Sequence, residues 1–164
     1  MSVAVVMGSK SDFEIVKGAF ETLKKFDVPF VGRVLSAHRT PVEAADFAAN
    51  AEKNGIQIII CAAGMAAHLA GVMAGHATCP VIGIPVPSAP FNGVDSTLAT
   101  LQMPPGVPVA TVTSGKAGAK NAALLAVEML AIADRKLSEK LKAFRAEQRE
   151  GVLQADAELQ EMLK

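Results

Sequence analysis

The chain has 164 residues, and its 16 Lys and Arg residues balance its 16 Asp and Glu residues, so the formal net charge is zero. This length favours one domain, and the absence of a basic excess argues against a general nucleic-acid or anionic-membrane binder. Hydrophobic residues make up 51% of the chain, yet aromatic residues only 4%, with no Trp or Tyr. We therefore expect an aliphatic core and no aromatic platform for stacking on single-stranded nucleic acid.

The charged residues are unevenly distributed. No Lys, Arg, Asp or Glu lies between Lys53 and Asp95, whereas residues 134–164 are rich in both signs. Gly and Pro interrupt the charge-free stretch too often for a membrane span. One small domain has too much surface to hide such a stretch alone, so we expect a homo-oligomer that buries it between subunits. We predict one domain over 1–164, with an α/β core over 1–133 and a charged helical extension over 134–164.

The first residues and the cysteines bear on the compartment. Residues 1–7 lack the regions of a signal peptide and predict a strand. Cys61 and Cys79 do not form a C-x-x-C pair, which favours a reducing cytoplasm without a disulfide framework. Each is predicted to be a small buried hydrophobic residue rather than a nucleophile.

Predicted strands and helices alternate. Apolar runs predict strands at 3–7, 30–35, 56–61, 81–85 and 109–113. Apolar spacing predicts helices at 13–23, from 41 to about 54, over 64–77, 95–101 and 117–133, and from 136 onward in two pieces. This alternation predicts a parallel sheet with right-handed crossovers, in a flavodoxin-like doubly wound, three-layer α/β/α fold of about five strands. Ligands of such folds bind at the carboxyl ends of the strands, near the switch point.

The loop after the first predicted strand is rich in anion-binding features. Gly8 ends the strand, and Ser9, Ser11 and Asp12 lead into a helix. Free N–H groups and the helix dipole favour an anion there, and Asp12 is suited to accept from ribose hydroxyls. Capping of the helix by Ser9 or Ser11 is the alternative interpretation.

The loop after the second predicted strand collects Ser36, Ala37, His38 and Arg39. Arg39 is suited to bidentate phosphate binding, and His38 is the residue type most easily poised for proton transfer near neutral pH. Thr40, Pro41 and Glu43 then predict a helix start with Thr40 as N-cap and Glu43 completing a capping box. A polar surface loop without function is the alternative interpretation.

The loop after the third predicted strand, residues 62–71, is built almost entirely of small residues. Small side chains allow close approach of a ligand or another backbone. His68 is its one polar side chain, and taken alone it is more typical of a core or interface histidine than of a catalytic one. His76, further along, is predicted to be structural or exposed.

The sequence contains no other nucleotide-binding motif and no metal-binding motif. Residues 114–117 resemble a P-loop ending, but Ala110 and Ala117 stand where Gly and Ser or Thr are needed. There is no G-x-S-x-G, no G-x-G-x-x-G and no metal-ligand spacing. We therefore expect neither a metal nor an organic cofactor.

Several motifs occur together in order: M-G-S-K-S-D (7–12), S-A-H-R-T-P (36–41), G-M-A-A-H-L (64–69), P-V-I-G-I-P (80–85), D-S (95–96), Q-M-P (102–104), G-V-P-V-A (106–110) and G-A-K-N-A-A-L-L (118–125). As a set they closely resemble the N5-carboxyaminoimidazole ribonucleotide mutase family, the class I enzymes of bacterial purine biosynthesis. The resemblance implies interconversion of N5- and 4-carboxyaminoimidazole ribonucleotide, without metal or cofactor, by an octamer of flavodoxin-like subunits. It also implies a small ribonucleotide as ligand, with no nucleic-acid or membrane partner.

The resemblance also implies roles by position. His38 matches the catalytic histidine, and the substrate-binding positions are Ser9, Ser11, Asp12, Ser36, Ala37, Arg39, Gly64, His68 and Leu69. Within this set the two serines that match phosphate-contacting positions are Ser11 and Ser36, and Asp12 matches the ribose-contacting acid. The commonest family loop reads G-A-G-G-A-A-H-L-P-G, from which this chain departs at Ala62, Met65 and Ala70.

Two alternatives stay open at the level of sequence. A class II carboxylase uses aminoimidazole ribonucleotide and free carbon dioxide on the same fold. Arg39-Thr40 and the run 67–69 favour class I, because class II typically has Lys at the first position and departs from A-A-H-L. The second alternative is a nucleotide-binding module without catalysis, which the presence of His38 disfavours.

Overall fold

The computed structural model describes residues 2–164. Its sheet consists of five parallel strands: β1 (Ser2–Met7), β2 (Phe30–Val34), β3 (Ile56–Gly64), β4 (Val81–Val86) and β5 (Ala110–Thr111). The helices are α1 (Phe13–Lys25), preceded by a short 3-10 helix (Lys10–Asp12), then α2 (Pro41–Ala49), α3 (Leu69–His76), α4 (Val94–Leu101), α5 (Gly115–Ala131) and α6 (Arg135–Met162). The strand order is β2-β1-β3-β4-β5. The predicted flavodoxin-like fold, with helices on both sides of the sheet, is confirmed.

Aliphatic strands at the centre of the sheet form the core. Val3–Val6 of β1 are fully buried, and all but Gln57 and the last two residues of β3 are buried as well. Alternate residues of a strand share a face, so Ala4 and Val6 pack with small residues of α2 and with apolar residues of α3. The prediction of an aliphatic core is confirmed, and much of it comes from the charge-free stretch.

The strand order indicates that a ligand would bind at the carboxyl edge of the sheet. The chain passes from β1 outward to β2 and then returns to the other side of β1 with β3. Met7 is opposite both Val34 and Ala62, and Gly64 is opposite Val86. The loops that follow these four strands therefore meet at the carboxyl edge, beside the switch point.

Several predicted boundaries are wrong. Helix α3 begins at Leu69 rather than at Gly64, because Gly64 still pairs with β4. Helix α2 ends at Ala49, and turns occupy the chain from there to Gly55. Strand β5 is reduced to two residues. Helix α6 is one continuous helix rather than two, because its many good helix formers outweigh the cost of the single Gly151.

The chain divides into one compact unit that runs to Ala126 and a second that spans Val127–Lys164. In the second unit, the Asp134 carboxylate caps α6 by accepting from the N–H groups of Lys136 and Leu137. Arg145 pairs with Glu128 at 2.9 Å. Across residues 2–164, no helix has the length and apolar character needed to cross a membrane.

Candidate active site

A cavity of about 430 Å³ opens at the carboxyl edge of the sheet, between the loops that follow β1, β2, β3 and β4. It brings together all the predicted site residues except His38 and His68. Its polar wall consists of Ser9, Ser11, Asp12, Ser36 and Arg39. Its apolar wall consists of Ala63, Gly64, Met65, Ala67, Leu69, Val86 and Pro87. Gly8, Ile15, Ala37 and Ser88 complete the lining.

The loop after β1 folds into a capping box. Ser9 Oγ accepts from the Ser11 N–H at 3.3 Å and from the Ser11 hydroxyl at 2.8 Å. The Asp12 carboxylate accepts from the Ser9 N–H at 3.1 Å. The capping interpretation of Ser9 is therefore correct, and the same hydrogen bonds hold both hydroxyls and the carboxylate at the cavity surface.

Burial raises the pKa of the Asp12 carboxyl above its usual value. The hydrogen bond from the Ser9 N–H, the nearby Ser11 hydroxyl and the positive charge of Arg39 oppose that shift in pKa without cancelling it. A carboxylate so placed is suited to accept hydrogen bonds from ligand hydroxyls.

Arg39 connects the loop after β1 with the loop after β2 through hydrogen bonds. Its Nη2 donates to the Gly8 carbonyl at 2.8 Å, and its backbone N–H donates to Ser36 Oγ at 3.2 Å. Its Nε lies 3.4 Å from the same hydroxyl oxygen. The guanidinium is thereby directed across the end of β1, with donors left over for an anion.

The predicted capping box at Thr40 is wrong. Thr40 does precede α2 and Pro41 does occupy the first turn, but the Thr40 side chain makes no capping hydrogen bond to the helix. Its hydroxyl instead accepts from the Ser36 N–H at 2.8 Å and lies 3.2 Å from the Ser36 carbonyl. The hydroxyl is therefore engaged in closing the 36–40 turn that presents Ala37 and Arg39.

His38 lies at the outside of this turn, between two residues that line the cavity. Its side chain is exposed and does not itself contribute to the lining. A proton-transfer role for this imidazole requires it to approach a ligand that occupies the cavity.

The loop after β3 carries an unusual backbone conformation. Met65 has φ of 57°, in the left-handed region that costs a non-glycine residue about 1 kcal/mol or more. Its N–H donates to Ser88 Oγ at 3.3 Å, which joins the loops after β3 and β4. The sequence interpretation did not identify Ser88 or its neighbours Val86 and Pro87. The signal was available, because the strand-end rule applies equally to β4.

The His68 side chain does not line the cavity. Its Nε2 lies 2.7 Å from the Met103 sulfur, and its Nδ1 is buried without a hydrogen-bond partner in the described chain, residues 2–164. Burial lowers the pKa of this imidazole. Gly71 makes room for the ring, since a Cβ at Gly71 would collide with it. In this arrangement His68 positions the start of α3 rather than the cavity surface.

The two cysteines lie outside the cavity. Cys61 is buried in β3 and Cys79 is half-buried, and both thiols are free. Burial raises the pKa of each thiol, so neither has the character of a reactive thiolate. Within residues 2–164, no group of three or more His, Cys, Asp or Glu side chains is arranged to hold a metal ion.

Comparison with known proteins gives a consistent result. The model of a family described as AIR carboxylase matches residues 2–151. A protein of Saccharolobus solfataricus named N5-carboxyaminoimidazole ribonucleotide mutase is 52% identical over 151 residues, 92% of this chain and 94% of the relative. An Escherichia coli K12 protein of the same name is 49% identical over 152 residues, 93% of this chain and 90% of the relative. The crystal structure of Treponema denticola PurE superposes with a TM-score of 0.84 at 28% identity, over 96% of this chain and 97% of that one.

Proposed function

The chain belongs to the AIR carboxylase family, and from that premise we propose that it interconverts N5-carboxyaminoimidazole ribonucleotide and 4-carboxyaminoimidazole ribonucleotide. The observation that carries this proposal is the identity of about half of all aligned positions to relatives named for that mutase, over more than nine-tenths of the chain. The activity is an isomerisation in purine biosynthesis. We place this reaction in the cavity at the carboxyl edge of the sheet.

The chemistry is a transfer of a carboxyl group within one substrate. The carbamate C–N bond breaks, which releases carbon dioxide and leaves an amino group that gains a proton. The nucleophilic ring carbon C4 then attacks the carbon dioxide, forming a C–C bond. The proton still on C4 leaves to a base and restores aromaticity. Atoms and charge balance without a redox partner, a phosphoryl donor or a metal, and we propose that none is used.

We propose His38 as the group that takes the C4 proton, and that returns it in the reverse reaction. Histidine titrates near neutral pH and contributes typically 10²- to 10⁴-fold as a general acid–base. The support for this role is the position of His38 on the turn between Ala37 and Arg39, both of which line the cavity. Because its side chain is exposed in the free chain, we propose that the imidazole turns toward the cavity when substrate binds.

We propose that the polar wall binds the ribose phosphate. The Ser11 hydroxyl turns from Ser9 Oγ to the phosphate, the Ser36 hydroxyl and the Arg39 guanidinium also donate to it, and the Asp12 carboxylate accepts from ribose hydroxyls. Ser9 supports this wall by holding Ser11, while Ala37 and Leu69 contact the nucleotide through their apolar surface. Gly64 allows the backbone after β3 to approach the base closely. We assign His68 to the same loop, where the packing of its ring against Gly71 positions the start of α3.

We further propose that the chain acts in the cytoplasm as a homo-oligomer, with eight subunits. Support comes from an exposed apolar surface on and just before α4, formed by Phe91, Val94, Leu98 and Leu101. Light scattering of the purified protein measures the assembly. A monomeric mass at assay concentrations would contradict this part of the proposal.

The experiment that tests the activity supplies the two possible substrates separately. Wild-type protein is given the N5-carboxylated nucleotide without bicarbonate, or aminoimidazole ribonucleotide with bicarbonate. A mutase forms the 4-carboxylated product from the first mixture. Product from the second mixture alone would assign a carboxylase that uses free carbon dioxide, and binding without turnover in either would assign a non-catalytic module.

A further inference from the structure

Met65 combines three properties. It lines the cavity, its backbone is held at a positive φ of 57°, and the residue is 59% exposed. Glycine adopts this backbone conformation freely, so the local fold of the loop does not call for a methionine. Burial in the core does not compensate the strained conformation either, because most of the side chain lies in solvent. The hydrogen bond from the Met65 N–H to Ser88 Oγ holds this backbone in the free chain, and the exposed side chain is left available to a ligand in the cavity.

The surroundings of Met65 indicate which part of a ligand its side chain would contact. The residues next to it that line the cavity are Ala63 and Gly64 at the end of β3 and Ala67 in the loop after β3, and all are small. Its side chain is therefore the one large apolar group that this loop contributes to the apolar wall. The hydrogen bond from its N–H to Ser88 Oγ, at 3.3 Å, fixes the backbone from which the side chain extends. An unbranched thioether chain adapts well to an irregular apolar surface.

We propose that Met65 is a positioning residue that folds over the imidazole ring of the bound substrate and keeps carbon dioxide beside C4 between bond cleavage and bond formation. This inference rests on the proposed mutase function and deepens it. Filling the cavity buries the Met65 side chain, excludes water from the apolar wall and closes the path by which carbon dioxide leaves. The C–N and C–C bond changes are those already given, and Met65 takes no proton and forms no bond.

Escape of carbon dioxide gives a direct readout. If it leaves after the C–N bond breaks, the amine takes a proton from solvent, and aminoimidazole ribonucleotide is released in place of the 4-carboxylated isomer. The experiment uses substrate whose carbamate carries ¹³C, with enzyme in excess, in buffer containing unlabelled bicarbonate. After a single turnover, the amounts of labelled product, unlabelled product and aminoimidazole ribonucleotide are measured.

The variants are Met65→Gly, Met65→Leu and the control Asp27→Gly. Asp27 also has a positive φ, 55°, but it lies after α1 at the opposite edge of the sheet. We expect wild type and Asp27→Gly to retain the label in the product. Met65→Gly should release roughly tenfold more aminoimidazole ribonucleotide per product formed, because the escape path is open. Met65→Leu, which restores apolar bulk, should recover most of the retention.

The outcomes separate this inference from the function on which it rests. A wild-type enzyme that forms no 4-carboxylated product overturns the proposed function itself. A wild-type enzyme that turns over while Met65→Gly retains the label equally well overturns only the role of Met65. Loss of turnover in Met65→Gly without release of aminoimidazole ribonucleotide also overturns it, as does equal leakage from Met65→Leu and Met65→Gly.

Discussion

The two walls of the cavity differ in how their residues are held. The polar wall, from the loops after β1 and β2, is fixed by side-chain hydrogen bonds such as those from Arg39 to Gly8 and from Ser11 to Ser9. The apolar wall, from the ends of β3 and β4 and the loops that follow them, is fixed by close backbone packing and by hydrogen bonds to the backbone, such as that between the Met65 N–H and Ser88 Oγ. In the proposed function this difference corresponds to two tasks. The directional groups of the polar wall would orient a charged ligand, and the apolar wall would control access of water and carbon dioxide.

The largest effect is expected beside the polar wall, at His38. Replacing His38 by Asn removes the proton acceptor but keeps a polar side chain of similar size. Turnover should fall about 10²- to 10⁴-fold, while binding of the 4-carboxylated nucleotide, measured by calorimetry, stays within a few-fold. His76→Asn, on the exposed end of α3, is the matched control. Near-normal turnover in His38→Asn would contradict the assignment of His38 as the proton acceptor.

Arg39→Lys tests the binding task of the same wall. Lysine keeps the positive charge but has no planar guanidinium. It therefore cannot hydrogen-bond to Gly8 and Ser36 and at the same time present two coplanar donors to a phosphate. KM should rise about tenfold or more with a smaller change in kcat, which steady-state kinetics measures. The control is Arg33→Lys on β2, whose guanidinium lies 5.4 Å from the Phe47 ring centre, away from the cavity. Equal effects of the two substitutions would remove the special role of Arg39.

Gly64→Ala tests the close packing of the apolar wall. An added Cβ would lie 3.3 Å from the Val86 carbonyl oxygen and 3.4 Å from Ser88 Oγ. We expect a loss of about 1 kcal/mol in the free energy of unfolding and reduced turnover, because the two loops must separate. Gly75→Ala is the control, since nothing lies within 4 Å of its added Cβ, and a gain of about 0.4–1 kcal/mol is expected there. Urea denaturation measures both, and a Gly64→Ala protein as stable as wild type would show that the loops are not tightly packed.

The smallest expected effect is the contribution of His68 to the pH dependence of stability. Burial lowers its folded-state pKa below the usual 6.5, so the folded chain binds fewer protons than the unfolded chain between these two values. The stability associated with neutral His68 is therefore present above pH 6.5 and is lost as pH falls through 6.5 toward the folded-state pKa. Relative to His68→Asn, wild type should lose stability on acidification from pH 7.5 to pH 5. A pH-independent difference between the two proteins would contradict the burial of this imidazole.

The sequence predicts the strands and the polar wall well, because both depend on local patterns. Runs of Val and Ile mark β1 and β3, and polar residues directly after strands mark Ser9, Asp12, Ser36 and Arg39. What it does not predict depends on which of several available partners a side chain bonds, or on contacts between distant segments. The Thr40 hydroxyl turns to Ser36 rather than to its helix, and the His68 ring turns to Met103, thirty-five residues away. Ser88 enters the cavity only because β4 pairs with β3.

A crystal structure with bound 4-carboxyaminoimidazole ribonucleotide tests the division of tasks most directly. We predict the phosphate against Ser11, Ser36 and Arg39, and the imidazole ring beneath Met65. Binding at the opposite edge of the sheet, in the cavity that Cys79 and Val107 line, would contradict the account. A phosphate against the apolar wall would contradict it as well.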